Sequence, residues 1–157
     1  MTAPASVRDA FHHGLRALAH ERVDLAVHQL SLAAQGAPDD ATVHAFLATA
    51  LFAAARPDES STAIRRALEL GPTAYWPNLK AGELRLRLGD AGAAADHFLA
   101  ALRAVEPGSA DATAAQQALV RARREVARSI SHRAVLPRFR WLASRRRSSA
   151  PRGARER

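Results

Sequence analysis

The chain has no cysteine, which excludes disulfides, thiolate metal ligands and cysteine nucleophiles. It is also poor in aromatics: one Tyr, two Trp and five Phe in 157 residues. Ala supplies much of the apolar fraction instead. Ala buries little area but is the best helix former, so this composition suits closely packed helices better than a β-sandwich. Lysine is nearly absent. Lys80 is the sole Lys among 23 basic residues, and the Arg and Ala bias reads as the coding habit of a GC-rich bacterium. No apolar run approaches the ~18 residues of a membrane span, and Met1 to Ser6 carry nothing of signal-peptide length. The expected protein is soluble and cytoplasmic.

Catalytic signatures are missing as well. No glycine-rich phosphate loop, nucleophile elbow or H-E-x-x-H pair occurs. The seven His are badly spaced for a metal. His12 and His13 are adjacent, about 100° apart on a helix, and His20 lies two turns beyond His13. The acidic pairs Asp39-Asp40 and Asp58-Glu59 fall at expected helix starts, where the helix dipole already accounts for them. The sequence therefore implies a non-enzyme with no cofactor and no metal site.

What is present is a period. Pro38, Pro72 and Pro107 are separated by 34 and 35 residues, and each closes a long apolar-periodic stretch. Gly36 and Gly71 stand just before the first two, the punctuation of a helix stop. Each unit divides into two helical halves: Val7 to Ala19 and Val23 to Ala34, then a helix capped by Asp40 and reaching Ala55 with Pro57 to Leu70, then Ala74 to Leu88 with Ala91 to Ala104. Gly89 supplies the third turn and Asp90 the next cap. Pro77 is tolerable only in the first turn of its helix.

Aligned at 34 residues, the units bring small residues into columns: Gly14, Ala48 and Gly82 at place eight; Ala26, Ser60 and Ala94 at place twenty; Ala33, Ala67 and Ala101 at place twenty-seven. Place twenty-four is large each time, as Leu30, Ile64 and Phe98. Small residues let two backbones approach, and the large residue fills the seam between units. A last helix follows, capped by Ser109 and ending near Ser131. Its stripe Ala115, Leu119, Ala122, Val126 and Ile130 faces inward, with Arg121, Arg124 and Arg128 opposite.

These units resemble tetratricopeptide repeats, which share the 34-residue length, the small places and the closing proline. The run Leu88-Gly89-Asp90-Ala91-Gly92-Ala93-Ala94-Ala95-Asp96-His97-Phe98-Leu99-Ala100-Ala101-Leu102 carries the likeness best, and it extends over roughly residues 7–108. The family's aromatic near the start of the first helix is replaced by Ala10, His44 and Asn78, and its later aromatic by Ala17, Leu51 and Arg85. The resemblance implies an all-α, right-handed α-solenoid. Three helix-turn-helix repeats (about 7–40, 41–74 and 75–108) and a capping helix (about 109–131) make a domain over 1–131, followed by a basic, largely flexible tail over 132–157.

In that family the first helices of successive units line a groove for a peptide or partner helix. Carried over by position, the groove residues are Phe11, His12, Leu15, Thr49, Phe52, Trp76, Leu79, Lys80, Glu83 and Arg87. They form an apolar floor with scattered charge, although Phe11, Leu15 and Leu79 could equally be core. The places that clamp a C-terminal carboxylate in one subclass hold Phe11, Leu15, Phe46, Trp76 and Lys80, of which only Lys80 has a suitable charge. An apolar partner segment fits better.

Charge is divided unevenly. Residues 1–120 hold 10 basic and 13 acidic side chains, net −3; residues 121–157 hold 13 Arg against Glu125 and Glu156, net +11. In the tail, Arg138, Arg140 and Arg145-Arg146-Arg147 are interleaved with Phe139 and Trp141. That pattern could meet nucleic acid, an anionic membrane, an acidic protein or another copy of the chain, or simply solubilise the end. The expected function is a protein–protein adaptor or scaffold. A small assembly or secretion chaperone, and a nucleic-acid or anionic-membrane binder acting through the tail, are the alternatives.

Overall fold

In the computed structural model, whose description covers backbone 6–145 and side chains 6–131, seven α-helices and no strand occur. They are α1 (Val7–Ala19), α2 (Val23–Gly36), α3 (Ala41–Ala53), α4 (Pro57–Leu70), α5 (Tyr75–Arg87), α6 (Ala91–Arg103) and α7 (Ala110–Arg145). The starts of α1, α3 and α5 are 34 residues apart, and so are those of α2, α4 and α6. Two compact units divide the chain, Met1–Arg123 and Arg124–Arg157. The first holds the three hairpins and the opening of α7.

Four of the seven helix starts are capped by a side chain, and α2 and α5 have no such cap. Ser6 accepts from the Asp9 amide, Asp40 from those of Thr42 and Val43, and Asp90 from that of Ala93. Ser109 Oγ accepts from the Ala112 amide at 3.0 Å. These caps satisfy amides that have no partner within the helix. Pro57 opens α4, and Pro77 is the third residue of α5, where its missing N–H costs no helical hydrogen bond.

The turn inside every hairpin is one motif used three times. The amides of Arg22, Arg56 and Asp90 reach back to the carbonyls of Ala17, Leu51 and Arg85, and those of Glu21, Ala55 and Gly89 to Leu18, Phe52 and Leu86. This is a Schellman ending, with the residue after the cap in the left-handed region. Its φ is +56° at Glu21, +56° at Ala55 and +81° at Gly89. Ala55 thus lies beyond α3 instead of ending it.

Place eight under place twenty-four is the packing rule. A Cβ added at Gly14 would stand 2.6 Å from Leu30 Cγ, and one at Gly82 would stand 2.5 Å from Phe98 Cε1. Only hydrogen fits there, so α1 meets α2, and α5 meets α6, at closest approach. In the middle hairpin Ser60 takes the small place and donates to the Ala48 carbonyl at 2.8 Å, so its buried hydroxyl is satisfied. Around these contacts Ala17, Ala26, Val27, Leu30, Ala48 and Leu51 form one core, and Phe98, Ala94 and Ala101 form another with Leu79.

The opening of α7 closes the third hairpin, with Ala115, Leu119 and Ala122 buried in that second core. The expected stripe stops there: Ile130 is 63% exposed. The expected end near Ser131 is also corrected, because α7 runs on to Arg145. Ser131 does not stop the helix; its hydroxyl donates to the Ala127 carbonyl at 3.0 Å, and the backbone stays helical through Pro137, although a proline there removes one helical hydrogen bond. Over 132–145, within the stretch expected as a basic, largely flexible tail, the backbone is helical.

Candidate functional site

The helical register brings four rings together across the first helices of the three repeats. Phe11 on α1 meets Phe46 on α3 edge-on at 5.7 Å between centroids. Phe46 meets Trp76 on α5 at 5.1 Å, and Trp76 meets Tyr75 edge-on at 4.9 Å. Such tilted and edge-on pairs are the favoured aromatic geometries. His12 extends the row from Phe11 at 6.0 Å. Trp76, 36% exposed, is its most open large side chain.

One cation is built into this surface. Lys80 Nζ lies 5.0 Å from the Phe46 centroid and 5.8 Å from that of Trp76, and 3.0 Å from Glu83 Oε2. Its stem covers the rings while Glu83 balances the charge. The row is therefore an apolar strip with an internally neutralised ion pair. Tyr75 Oη donates to the Asp111 carbonyl at 3.3 Å, linking α5 to the start of α7. Burial, followed by the nearby Asp111 and Glu83 carboxylates, pushes the Tyr75 phenol above its ordinary range.

The remaining expected groove residues are distributed differently. Leu15 and Thr49 are half-buried, and the Thr49 hydroxyl donates to the Ala45 carbonyl of its own helix at 3.2 Å. Leu79 is 7% exposed and packs with Phe98 and Leu119, so it is core. Phe52 carries the Arg87 guanidinium 5.8 Å over its ring and lines a different cleft. Phe46, expected only as one of the carboxylate-clamp places, and Tyr75, not expected at all, complete the ring row. Arg138, Phe139, Arg140, Trp141 and Arg145 lie on α7 beyond the described side chains, and Arg146 and Arg147 lie outside the described residues. Among the described residues no group of three or more His, Asp or Glu could hold a metal ion, and no helix is long and apolar enough to cross a membrane.

The lost family aromatics at place four have a structural replacement. His44 Nε2 lies 2.9 Å from the Pro38 carbonyl, and Asn78 Nδ2 donates to the Pro72 carbonyl at 2.9 Å. Both side chains pin the turn between repeats at the same register. Asn78 Oδ1 also meets His97 Nδ1 at 3.2 Å, joining α5 to α6. Burial, and then the Arg85 guanidinium, hold the His97 imidazole below its usual pKa.

No family model matches the sequence, and no curated protein matches it. Solved structures do. The TPR2B domain of yeast Sti1, in its pHsp70 complex, superposes with a TM-score of 0.65 at 19% identity, covering 76% of this chain and 97% of that one. The TPR domain of Sgt2 from Aspergillus fumigatus gives 0.65 at 16% identity over 98% and 95%. That of Arabidopsis OM64 gives 0.60 at 21% identity over 76% and 95%. With its 34-residue hairpins, small-under-large seams and terminal helix, the chain has the fold of a tetratricopeptide-repeat domain.

Proposed function

We propose that the chain is a protein-binding adaptor that seats an apolar segment of a partner on the aromatic row of α1, α3 and α5. The observation that carries this reading is the unbroken series Phe11, Phe46, Trp76 and Tyr75, which crosses all three repeats with Trp76 open to solvent. Large rigid aromatics supply contact area at little entropic cost and dominate binding energy where they occur. Because Glu83 already neutralises Lys80, the strip favours an amphipathic helix or extended apolar segment over a strongly charged one. The Sti1 structure is a complex with pHsp70, which supports recognition of a protein partner as a use of this fold. An assembly or secretion chaperone would use the same surface on a client.

The test is affinity capture from the source cell with the full chain as bait. The Phe46→Ala/Trp76→Ala variant is expected to lose the captured partner. A variant with Arg138, Arg140 and Arg145 to Arg147 changed to Gln is expected to retain it. The reverse pattern would refute the groove and favour the second reading, an acidic partner, nucleic acid or anionic membrane bound through the C-terminal arginines. That reading draws on the net charge of +11 after residue 120 and on the exposed Arg121, Arg124 and Arg128.

A further inference from the structure

A second concavity, separate from the aromatic row, opens between α4 and α6 with α5 as its floor. Its volume is about 570 Å³, within the range of small-molecule sites. The repeat register shows what it replaces. Shifting its lining back by one 34-residue unit carries Ser61 to Val27, Arg85 to Leu51 and His97 to Ala63. Those three are buried, 9%, 5% and 7% exposed, in the apolar cluster joining the first two repeats. At the next seam the same three places carry a hydroxyl, a guanidinium and an imidazole, and the core gives way to a cleft. Three polar residues thus line one cleft at places where the preceding repeat carries apolar ones, a departure from the packing rule of the kind expected at a binding site.

The rest of the lining sets the ligand's chemistry. Ile64, Leu68, Leu84 and Leu88 form an apolar wall. Among the charged residues, Glu69 is engaged by Arg65 and Arg66 at 4.0 and 3.9 Å, whereas Arg85 makes no ion pair among the described residues. After burial, Arg85 is the charge that most disfavours a proton on His97, with the Asp96 and Asp90 carboxylates opposing it. An apolar wall ending in a guanidinium, a hydroxyl and an imidazole complements a molecule with a hydrocarbon body and an anionic head.

We propose that this cleft binds a small amphiphilic carboxylate, its chain on Ile64, Leu68, Leu84 and Leu88 and its head group at Arg85, Ser61 and His97. The probe is decanoate, titrated into the full chain below its micelle concentration. The His97 ring is followed by NMR, and decyltrimethylammonium serves as the control of opposite charge. Saturable decanoate binding that raises the His97 pKa, without binding of the cationic control, is expected, because an anion at Arg85 removes the repulsion of the imidazolium. Arg85→Gln should weaken decanoate about ten-fold or more, the scale of one charge-assisted hydrogen bond. Ser61→Val/Arg85→Leu, which copies the first seam, should abolish binding while raising Tm. Absence of saturable binding, equal binding of the cationic control, or binding unchanged in Arg85→Gln overturns the proposal. So does a dimer that Ser61→Val/Arg85→Leu dissolves without any decanoate effect, which would put a second copy in the cleft.

Discussion

At the scale of single residues, the repeat is written in backbone conformation as much as in side chains. Glu21, Ala55 and Gly89 take the same left-handed turn, yet only the third is the residue that adopts it freely. A side chain there costs about 1–2 kcal/mol in local sterics, partly offset by the greater freedom glycine gives the unfolded chain. Ala55→Gly is therefore expected to stabilise the protein by about 0.5–1 kcal/mol, seen as a Tm rise of about 1–4 °C. Ala54→Gly, one residue earlier at a φ of −77°, should lower Tm. A thermal melt of the two variants checks the sign at each position, and a loss at both would show that Ala55 is not held in the strained turn. Gly14 and Gly82 have a different reason for being glycine, because Leu30 and Phe98 occupy the space a Cβ would need.

Between elements, polar bonds do work that family aromatics would otherwise do by packing. His97 and Asn78 couple α6 to α5, and Asn78 in turn fixes the turn after α4. Since burial and Arg85 lower the His97 pKa, with Asp96 and Asp90 opposing less strongly, the unfolded chain takes up the proton first. The stability from this site is complete above the unfolded value of about 6.5 and is lost as pH falls from there toward the folded pKa. Tm measured from pH 8 to pH 5 should fall less steeply for His97→Gln than for the parent chain; parallel curves would mean that His97 does not report the coupling.

Helix pairing was legible because it rests on columns of identical size at a fixed period: the helix starts repeat at 34 residues, and the small places lie beneath the large one. The aromatic row was only partly legible. Phe11, Phe46 and Trp76 occupy the fifth, sixth and second places of their units, so no column predicts that their rings touch. Leu79 shares place five with Phe11, half-buried in the ring row, and with Ala45, fully buried, so the column alone does not separate core from groove. The continuation of α7 past Ser131 is not legible in the sequence, because the stripe loses burial there and Pro137 follows, and both features read as a helix end. The cleft at Arg85 is lined by residues of separate helices, Ser61, Arg85 and His97, which lie far apart in the sequence.

On the scale of the whole molecule, the sequence separates two kinds of surface along the chain. The repeats carry the rings and a mild negative balance, while the residues from Arg121 onward carry +11. An interaction built on aromatics tolerates salt, whereas one built on arginines weakens as salt rises. A photoreactive phenylalanine analogue placed singly at positions 76, 32 and 141 of the full chain, then cross-linked in the source cell, distinguishes these surfaces directly. Leu32 is exposed on α2, away from the ring row, and serves as the background. Adducts to one partner protein from position 76, absent at 32, are the predicted result. Adducts from 141 alone, with 76 no different from 32, would contradict it.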